Sequence, residues 1–216
     1  MNFYEDLPYR VQSMQLDDID EVMAIEYRSF SSPWSVRAYR YELTANAYSQ
    51  FVVVRQAMPA TPATEILGLL DRLLRSPPRT VKPPVLGHGG FWLLVDEAHI
   101  STIAVAPEWR GMGLGELVLV GLLDRAIMVQ AEVATLEVRM SNRVAQNLYQ
   151  KYLFHTLGVR KGYYSGNQED ALVMTTDPLR SVAFRETFQR NREALAGSLK
   201  QKTQRPQSDR ADSQMG

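Results

Sequence analysis

The chain has 216 residues, of which 45% are hydrophobic and 22% charged, so it can bury a globular core and is not disordered throughout. Its 24 Lys and Arg residues balance its 24 Asp and Glu residues, and the overall charge gives no reason to expect nucleic acid or an anionic membrane as a partner. The absence of Cys excludes disulfides, thiolate metal sites and a cysteine nucleophile, and three His residues leave few ligands for a metal ion. The lack of a long apolar run and of a basic leader predicts a cytoplasmic protein.

The N-terminal quarter of the chain predicts a strand followed by helices. Residues 9–14 alternate in character, as a strand does. Residues 16–30 place apolar side chains at helical spacing, with Asp18 and Glu21 where an N-terminal capping pair would lie. After the break at Pro33, residues 36–43 can resume helix.

A proline-rich segment then interrupts the pattern. Residues 51–55 are rich in Val and predict a strand. Residues 57–84 contain a cluster of prolines around an apolar stretch, which indicates an insertion. Its leucines and its small excess of positive charge fit either a short helix that covers the domain or an element that docks on a membrane surface or a partner.

The rest of the chain predicts alternating strands and helices. In chain order these are a hairpin of strands 85–95 and 98–105 joined at Asp96 and Glu97, a buried helix over 116–128, a strand over 135–139, a helix over 142–151, a strand over 171–175, an amphipathic helix after Pro178 with Phe184, Phe188, Leu195 and Leu199 on one face, and a disordered polar end over 200–216. This alternation predicts an α/β or α+β domain with a mixed sheet, over residues 9–176, followed by an appendage over 177–216.

The most informative segment is a glycine-rich turn between a strand and a helix. Gly111, Gly113 and Gly115 alternate immediately before the predicted helix. Small residues let the backbone approach a ligand closely, and free N–H groups at a helix N-terminus favour a phosphate or pyrophosphate. No Lys-Ser/Thr pair follows, which excludes a nucleoside-triphosphate loop, and the Gly-x-Gly-x-Gly spacing does not fit the dinucleotide-binding pattern. A purely structural tight turn is the alternative.

At these residues the chain resembles the GCN5-related N-acetyltransferases. The match comprises Arg110-Gly111-Met112-Gly113-Leu114-Gly115, the preceding Ile103-Ala104-Val105-Ala106-Pro107, the segment 136–142, Asn147-Leu148-Tyr149, Pro33-Trp34-Ser35, Tyr163-Tyr164 and Glu169-Asp170-Ala171. It is closest to the bacterial members that acetylate the N-terminal alanine of a ribosomal protein. The resemblance covers residues 9–57 and 85–176; the insertion and the C-terminal segment depart from it.

The resemblance implies a mixed, mostly antiparallel sheet flanked by helices and acetyl-CoA as co-substrate. The positions it implies for binding acetyl-CoA are Ile103, Ala104, Val105, Arg110, Gly111, Met112, Gly113, Leu114, Gly115, Glu116 and Asn142. The acceptor would contact loops that carry Trp34, Tyr163 and Tyr164. It implies direct transfer, in a ternary complex, to the N-terminus of a ribosomal protein; broader acetylation of protein N-termini and lysines, a small-amine acceptor, and a non-catalytic acyl-CoA-binding module are the alternatives.

Two residues suit the chemistry of acetyl transfer to an amine. An N-terminal amine has a pKa of about 8, so a carboxylate is a sufficient base, and Glu137 occupies the family's position for it. An ion pair with Arg139 is the alternative reading of Glu137. Tyr149, a phenol that is protonated at neutral pH, matches the family's general acid; Tyr152 is its neighbour and fits packing better. The oxyanion donor is expected to be a backbone N–H near Val105. His88, His99 and His155 are expected to have structural roles.

Overall fold

The computed structural model describes residues 3–57 and 82–204, in which strands and helices alternate along the chain. The strands are β1 (Tyr9–Ser13), β2 (Ser49–Gln56), β3 (Val85–Leu94), β4 (Glu97–Val105), β5 (Val133–Arg139), β6 (Phe154–Tyr164) and β7 (Glu169–Thr176). The helices are α1 (Ile19–Ser29), α2 (Val36–Thr44), α3 (Leu114–Met128), α4 (Arg143–Lys151) and α5 (Val182–Gln204). Short 3-10 turns at Leu16–Asp18 and Pro107–Trp109 precede α1 and α3.

The seven strands form one sheet in the order β1-β2-β3-β4-β5-β7-β6. Every neighbouring pair is antiparallel except β4 and β5. That pair is parallel because α3 carries the chain back across the sheet, and a parallel connection needs a crossover of about a dozen residues or more. The predicted fold class, a mixed and mostly antiparallel sheet flanked by helices, is confirmed.

Helices cover both faces of the sheet, and β2 shows how the sequence divides between them. Val52 and Val54 belong to the larger buried cluster, which holds α3 and α5. Phe51 and Val53 belong to the smaller cluster, which holds α1 and Tyr39 of α2. Successive side chains on a strand point to opposite faces, so a continuous run of Val predicts a strand that is buried on both sides.

Strand β6 is absent from the sequence prediction. It lies at an edge of the sheet and pairs only with β7, with register shifts near Gly158 and after Arg160. Most of its side chains are exposed or half-buried, so they do not form the apolar run by which the other strands are recognised. An exposed edge strand with polar residues and glycines carries little pattern for sequence analysis.

The predicted capping pair at the start of α1 is wrong. Asp18 and Glu21 do not cap this helix; Asp18 instead accepts a hydrogen bond from the backbone N–H of Gln15 and forms a 2.7 Å ion pair with Arg55. Glu21 accepts a 2.6 Å hydrogen bond from the backbone N–H of Val85 and lies 3.3 Å from Arg55. Because the Arg55 guanidinium is buried, both carboxylates compensate its charge and so join α1 to β2.

The bounds of two other predicted elements differ from those in the structure. The hairpin connection consists of Val95 and Asp96, because Leu94 pairs with Glu97; Val95 takes the left-handed φ of 62°. Helix α5 continues to Gln204, five residues into the segment predicted to be disordered. The helix predicted within the insertion and the end of the chain lie outside the described residues, and the division at 176 stays a prediction. In residues 3–57 and 82–204, no helix is long and apolar enough to cross a membrane.

Candidate active site

The candidate site lies where the parallel strands β4 and β5 separate. Their pairing runs from Glu97 opposite Val133 to Ile100 opposite Leu136 and then stops, although both strands continue. In β4 the next residue, Ser101, is an extra residue in the ladder with β3, a β-bulge that bends the strand. The strands therefore diverge and leave a gap in the sheet.

A cavity of about 540 Å³ occupies this gap. It is lined by side chains from β4, β5, α1, the α1–α2 loop, α4 and the β6–β7 hairpin, and it brings together seven of the predicted site residues: Trp34, Ile103, Glu137, Asn142, Tyr149, Tyr163 and Tyr164. The remaining predicted residues lie outside the lining, along the end of β4 and the glycine turn. The arrangement thus separates a cavity that holds the predicted acid and base from a turn suited to phosphates.

Glu137 presents a buried carboxylate to this cavity. Its side chain is 5% exposed; Oε2 lies 3.2 Å from Nε2 of His99, and Oε1 lies 2.9 Å from Nη1 of Arg160 in an ion pair that is not an aligned hydrogen bond. Burial by itself raises the pKa of Glu137, but the hydrogen bond and charge of His99, with the charge of Arg160, outweigh it and hold the pKa below 4.5. Glu137 is therefore ionised at neutral pH.

The alternative reading of Glu137 as a partner of Arg139 is wrong. Arg139 points to a different carboxylate, with Nη1 2.8 Å from Glu169, and its guanidinium lies 3.9 Å from the centre of the Tyr164 ring. The hydroxyl of Tyr164 in turn donates a 3.4 Å hydrogen bond to the backbone carbonyl of Glu137. Arg139 thus supports the β6–β7 hairpin at the rim of the cavity.

His99 takes part in the site, so the structural role expected for it is incomplete. Its Nε2 contacts Glu137 as above, and its Nδ1 lies 3.1 Å from the hydroxyl of Thr135, which donates to Glu97. The hydrogen bond to Glu137 raises the pKa of His99 above 6.5, against the effect of burial. Spacing along the chain gave no signal, because His99 and Glu137 meet only through the parallel register of β4 and β5.

The other two histidines differ from His99. His88 is fully buried beside Glu26 at 3.5 Å, and burial lowers its pKa to about 3, so it is neutral. His155 is about half exposed on β6, with Nδ1 3.7 Å from Asp177. Neither of them lines the cavity.

Tyr149 reaches the cavity from α4. Its side chain is buried and packs on Phe154 at a ring distance of 5.6 Å, and burial raises the pKa of its hydroxyl. Tyr152, three residues along the same helix, donates its hydroxyl to Glu116 at 2.7 Å and packs on Phe188. Tyr149 is therefore a protonated phenol that lines the same cavity as the predicted base, whereas Tyr152 is committed to packing.

Asn142 caps the helix that carries Tyr149. Its side-chain oxygen accepts a 3.1 Å hydrogen bond from the backbone N–H of Ala145, which caps the N-terminus of α4. Its side chain also belongs to the lining of the cavity. The cap fixes the start of the helix that carries Tyr149.

The glycine turn leads from β4 into α3. Gly111 and Gly113 have φ angles of 74° and 92°, in the left-handed region that favours glycine. A Cβ at Gly111 would meet no atom within 4 Å, so this side of the turn is open to a ligand. Gly113 caps α3 without a side-chain hydrogen bond, which leaves the first backbone N–H groups of the helix without such a partner. The turn has the shape and polarity of an anion site.

The side chains around the turn show which groups can reach a ligand. Nε of Arg110 donates to the carbonyl of Val105 at 3.3 Å, and its Nη2 donates to the hydroxyl of Ser29. Glu116 is engaged by Tyr152 and by Lys151 at 2.5 Å, so only its backbone remains available to a phosphate. The side chains of Ala104 and Leu114 are buried in the two hydrophobic clusters, and those positions too can contribute only backbone groups.

Aromatic side chains form the opposite rim of the cavity. The rings of Trp34 and Trp92 stack with centroids 5.6 Å apart, and the ring of Trp92 stacks on His99 at 6.0 Å. The rings of Tyr163 and Tyr164, which also line the cavity, meet edge to face at 5.1 Å. Trp92 was absent from the predicted site, because the sequence offered only a place in an apolar strand.

A second carboxylate, Glu26, was also absent from the predicted site. It is fully buried on α1, accepts hydrogen bonds from the Trp34 backbone N–H and the Tyr39 hydroxyl at 3.0 Å each, and accepts one from Thr102 at 3.4 Å. Burial raises its pKa above the ordinary value. Glu26 thus fixes the loop that carries Trp34 to the wall of the cavity.

Comparison with known proteins identifies sequences similar to this chain. The sequence model of the Acetyltransferase (GNAT) family matches residues 19–153. A Bacillus subtilis (strain 168) protein provisionally named ribosomal protein bS18-alanine N-acetyltransferase is 35% identical over 164 residues, which cover 76% of this chain and 92% of that protein.

Solved structures share the fold. The crystal structure of the ribosomal-protein-S18-alanine N-acetyltransferase from Escherichia coli matches with a TM-score of 0.62 and 22% identity, over 81% of this chain and 96% of that one. A chain from the NatC complex bound to Gag peptide and CoA matches with a TM-score of 0.60 and 17% identity, over 79% of this chain and 99% of that one.

Proposed function

The chain belongs to the acetyltransferase (GNAT) family, and from that premise we propose that it transfers the acetyl group of acetyl-CoA directly to the N-terminal alanine of a ribosomal protein. The observation that carries the proposal is the cavity itself, which is lined by both the ionised carboxylate of Glu137 and the protonated phenol of Tyr149. The Bacillus subtilis relative, whose name states this acceptor, supports the choice of substrate. A ribosomal protein as acceptor would place the reaction in the cytoplasm.

The residues of the glycine turn fit acetyl-CoA. Backbone N–H groups from Gly111 to Glu116 can bind its pyrophosphate at the N-terminus of α3, with Arg110 beside them. Backbone groups of β4 from Ile103 to Val105 have no partner strand on the β5 side and can bind its pantetheine arm, with Asn142 nearby. Acetyl-CoA supplies the acetyl group as an activated thioester.

Glu137 and His99 together are suited to remove the proton from the amine. The amine has a pKa of about 8, so transferring its proton to a carboxyl with a pKa below 4.5 is uphill by at least roughly 4 kcal/mol. Where the pH exceeds the pKa of His99, which lies above 6.5, its imidazole is neutral and can take the proton onward from Glu137, which reduces that cost. Of these two residues, only Glu137 lines the cavity. We therefore propose that Glu137 takes the proton from the amine and that His99 stabilises this proton through its contact with Glu137.

Tyr149 and the end of β4 are suited to the other side of the reaction. Tyr149 keeps its proton at neutral pH, so its hydroxyl can donate a hydrogen bond to the departing thiolate and transfer the proton as negative charge develops on the sulfur. A backbone N–H near Val105 can stabilise the negative charge that develops on the acetyl oxygen. With no Cys in the chain, no cysteine acyl-enzyme can form, and the acetyl group passes directly to the amine.

The rim of the cavity favours a peptide as acceptor. The loop carrying Trp34 and the hairpin carrying Tyr163 and Tyr164 both line the cavity, so a peptide whose terminal amine reaches Glu137 could contact these aromatic side chains. Broader acetylation of protein N-termini and lysines is the second candidate, because the same rim would admit a lysine side chain. The presence of both Glu137 and Tyr149 argues against a non-catalytic acyl-CoA-binding module.

Mass spectrometry of acetyl-CoA reactions with matched peptides tests the proposal. The peptides begin with Ala, Ser or Met and are otherwise identical; a fourth has a blocked Ala and an internal Lys. We expect acetylation of the free N-terminal Ala alone. Acetylation of all free termini and of the lysine would replace the proposal by the broader activity, and CoA binding without transfer to any peptide would favour a small amine or the binding module.

We expect the insertion over residues 57–84 to take no part in the acetyl transfer itself but to contribute to binding of the natural substrate, and a deletion tests this prediction. We expect the deletion variant to acetylate the short Ala peptide at the rate of the intact chain. Loss of activity on the whole ribosomal protein alone would identify the insertion as a docking element. Equal activity on both substrates would contradict that prediction.

A further inference from the structure

Helix α5 lies against the glycine turn, although it is outside the residues that the family's sequence model matches. Leu195 and Leu199 are buried, and a Cβ on Gly113 would lie 3.5 Å and 3.4 Å from their side chains. They belong to the same cluster as Leu114 and Leu117 at the start of α3. The C-terminal helix therefore forms the back of the turn.

Lys202 adds a polar contact to the same turn. Its half-buried side chain places Nζ 2.7 Å from the backbone carbonyl of Gly111, to which it donates a hydrogen bond. A donor that carries a full charge makes this bond stronger than one between neutral groups. Lys202 thus holds the carbonyl at the centre of the glycine turn.

Holding this carbonyl also orients a donor. In a trans peptide unit the C=O of one residue and the N–H of the next point in opposite directions, and the described peptide bonds are trans. Fixing the carbonyl of Gly111 toward α5 therefore directs the N–H of Met112 away from α5. Gly111 has access to many backbone conformations, so an isolated turn would lose entropy on adopting the one that binds a phosphate.

We propose that α5 is part of the acetyl-CoA site and that Lys202 is a positioning residue, which preorganises the glycine turn through the Gly111 carbonyl. The inference rests on the proposed function, because it assigns the pyrophosphate of acetyl-CoA to this turn. Lys202 acts on the backbone that binds the ligand and does not itself contact the 3′-phosphate. Loss of its contact should therefore weaken the binding of CoA and leave the rate of the bound complex unchanged.

Point variants test the proposal better than removal of the helix. Phe184 and Phe188 fill the core, and Asn191 donates a 2.7 Å hydrogen bond to the carbonyl of Lys151 at the end of α4, so truncation would disturb the whole domain. Lys202→Met removes the ammonium and keeps the aliphatic chain. Lys202→Arg keeps a charged donor, and Lys200→Met, at an exposed position on the same helix, is the matched control.

The measurement is isothermal titration calorimetry of the full chain with CoA and with 3′-dephospho-CoA, together with thermal unfolding and steady-state kinetics. For Lys202→Met we expect binding of both ligands to weaken by the same factor, about 5- to 20-fold. The KM for acetyl-CoA should rise by a similar factor, with kcat and the unfolding temperature unchanged. Lys202→Arg should restore most of the affinity, and Lys200→Met should bind as the unaltered chain does.

Three results would overturn the proposal. Equal CoA affinity in the unaltered chain and in Lys202→Met would show that the contact does not position the turn. A loss confined to CoA, absent with 3′-dephospho-CoA, would make Lys202 a direct ligand of the 3′-phosphate instead. No CoA binding by the unaltered chain would overturn both this inference and the proposed function, which separates that failure from the first.

Discussion

Two buried carboxylates line the cavity, Glu26 on the wall formed by α1 and Glu137 on the wall formed by β5, and their surroundings shift their pKa values in opposite directions. Glu26 on α1 accepts hydrogen bonds from neutral groups, and burial raises its pKa. Glu137 on β5 faces His99 and Arg160, whose charges outweigh burial and lower its pKa. The same residue type, buried in both places, thus has a raised pKa on one wall and a lowered pKa on the other.

The difference lies in what the sheet places next to each carboxylate. Glu26 has His88 at 3.5 Å, but this imidazole is so deeply buried that it is neutral and adds no charge. Glu137 has His99 at 3.2 Å, which is half-buried and supported by Thr135 on its other side. A histidine therefore stabilises a neighbouring carboxylate by its charge only where it can keep a proton, and this distinguishes the surroundings of Glu137 from those of Glu26.

The largest expected effect is the loss of transfer rate in Tyr149→Phe, a change in the same cavity as Glu137. This change removes only the hydroxyl and keeps the ring that packs on Phe154. Without the acid, we expect the transfer rate to fall by about 10²- to 10⁴-fold while CoA binding stays nearly intact. Single-turnover kinetics and calorimetry measure the two quantities. Tyr152→Phe, on the same helix but bound to Glu116, should keep the rate; loss of CoA binding in Tyr149→Phe would make Tyr149 a packing residue.

Glu137→Gln should have the next largest effect. We expect the rate at pH 7 to fall by about 10²- to 10³-fold, in the lower part of the range for proton transfer, because an amine with a pKa of about 8 is already partly neutral. Peptide kinetics at saturating acetyl-CoA measure it. Glu132→Gln, an exposed carboxylate just before β5, is the control and should leave the rate unchanged. A full rate in Glu137→Gln would remove the assignment of the base.

Some residues of the cavity could be predicted from the sequence, and others could not. Glu137, Tyr149 and the glycine turn were predicted because they belong to continuous motifs around short elements. His99 was assigned a structural role and Glu26 only a place on a helix face, because both act through partners that are distant in the sequence. The parallel register of β4 and β5 brings His99 to Glu137, and no local pattern encodes that register.

Two features of the fold were not predicted correctly for a related reason. Strand β6 is exposed at the sheet edge and lacks an apolar run, so only its pairing with β7 identifies it. The pair Asp18 and Glu21 had the spacing of a helix cap, but the buried charge of Arg55 is the stronger partner. The buried elements, by contrast, were predicted well, because burial on one face or on both sets the period of their apolar residues.

His99→Gln should have a smaller effect that depends on pH. The hydrogen bond to Glu137 raises the pKa of His99, so the pair loses its ability to accept a proton as the pH falls below that pKa. We expect a loss in kcat of about tenfold above that pKa, and a weaker dependence of kcat on pH below it. NMR titration should place the pKa of His99 above 6.5 in the intact chain and lower in Glu137→Gln. His155→Gln is the control, and an unchanged His99 pKa in Glu137→Gln would refute the coupling.

The smallest effect on the reaction should come from Glu26→Gln, on the other wall. Glu26 holds Trp34 and Tyr39 rather than the reacting atoms, so we expect kcat to fall by less than about tenfold, roughly 1.4 kcal/mol of barrier. A loss as large as that of Glu137→Gln would break the comparison, because it would make Glu26 a second reacting group.

The pH dependence of the free energy of unfolding should show the raised pKa of Glu26 more clearly than kcat does. A pKa raised in the folded state means that the folded protein binds this proton more tightly than the unfolded chain does. The stabilisation is full below about pH 4.5, the ordinary pKa, and is lost as the pH rises through the folded pKa. Urea unfolding across this window should show the intact chain losing stability relative to Glu26→Gln as the pH rises. A difference between the two that does not change with pH would mean that folding does not change the pKa of Glu26, and a difference that grows in favour of the intact chain as the pH rises would mean that the pKa is lowered, as in Glu137; either result would contradict the comparison of the two walls.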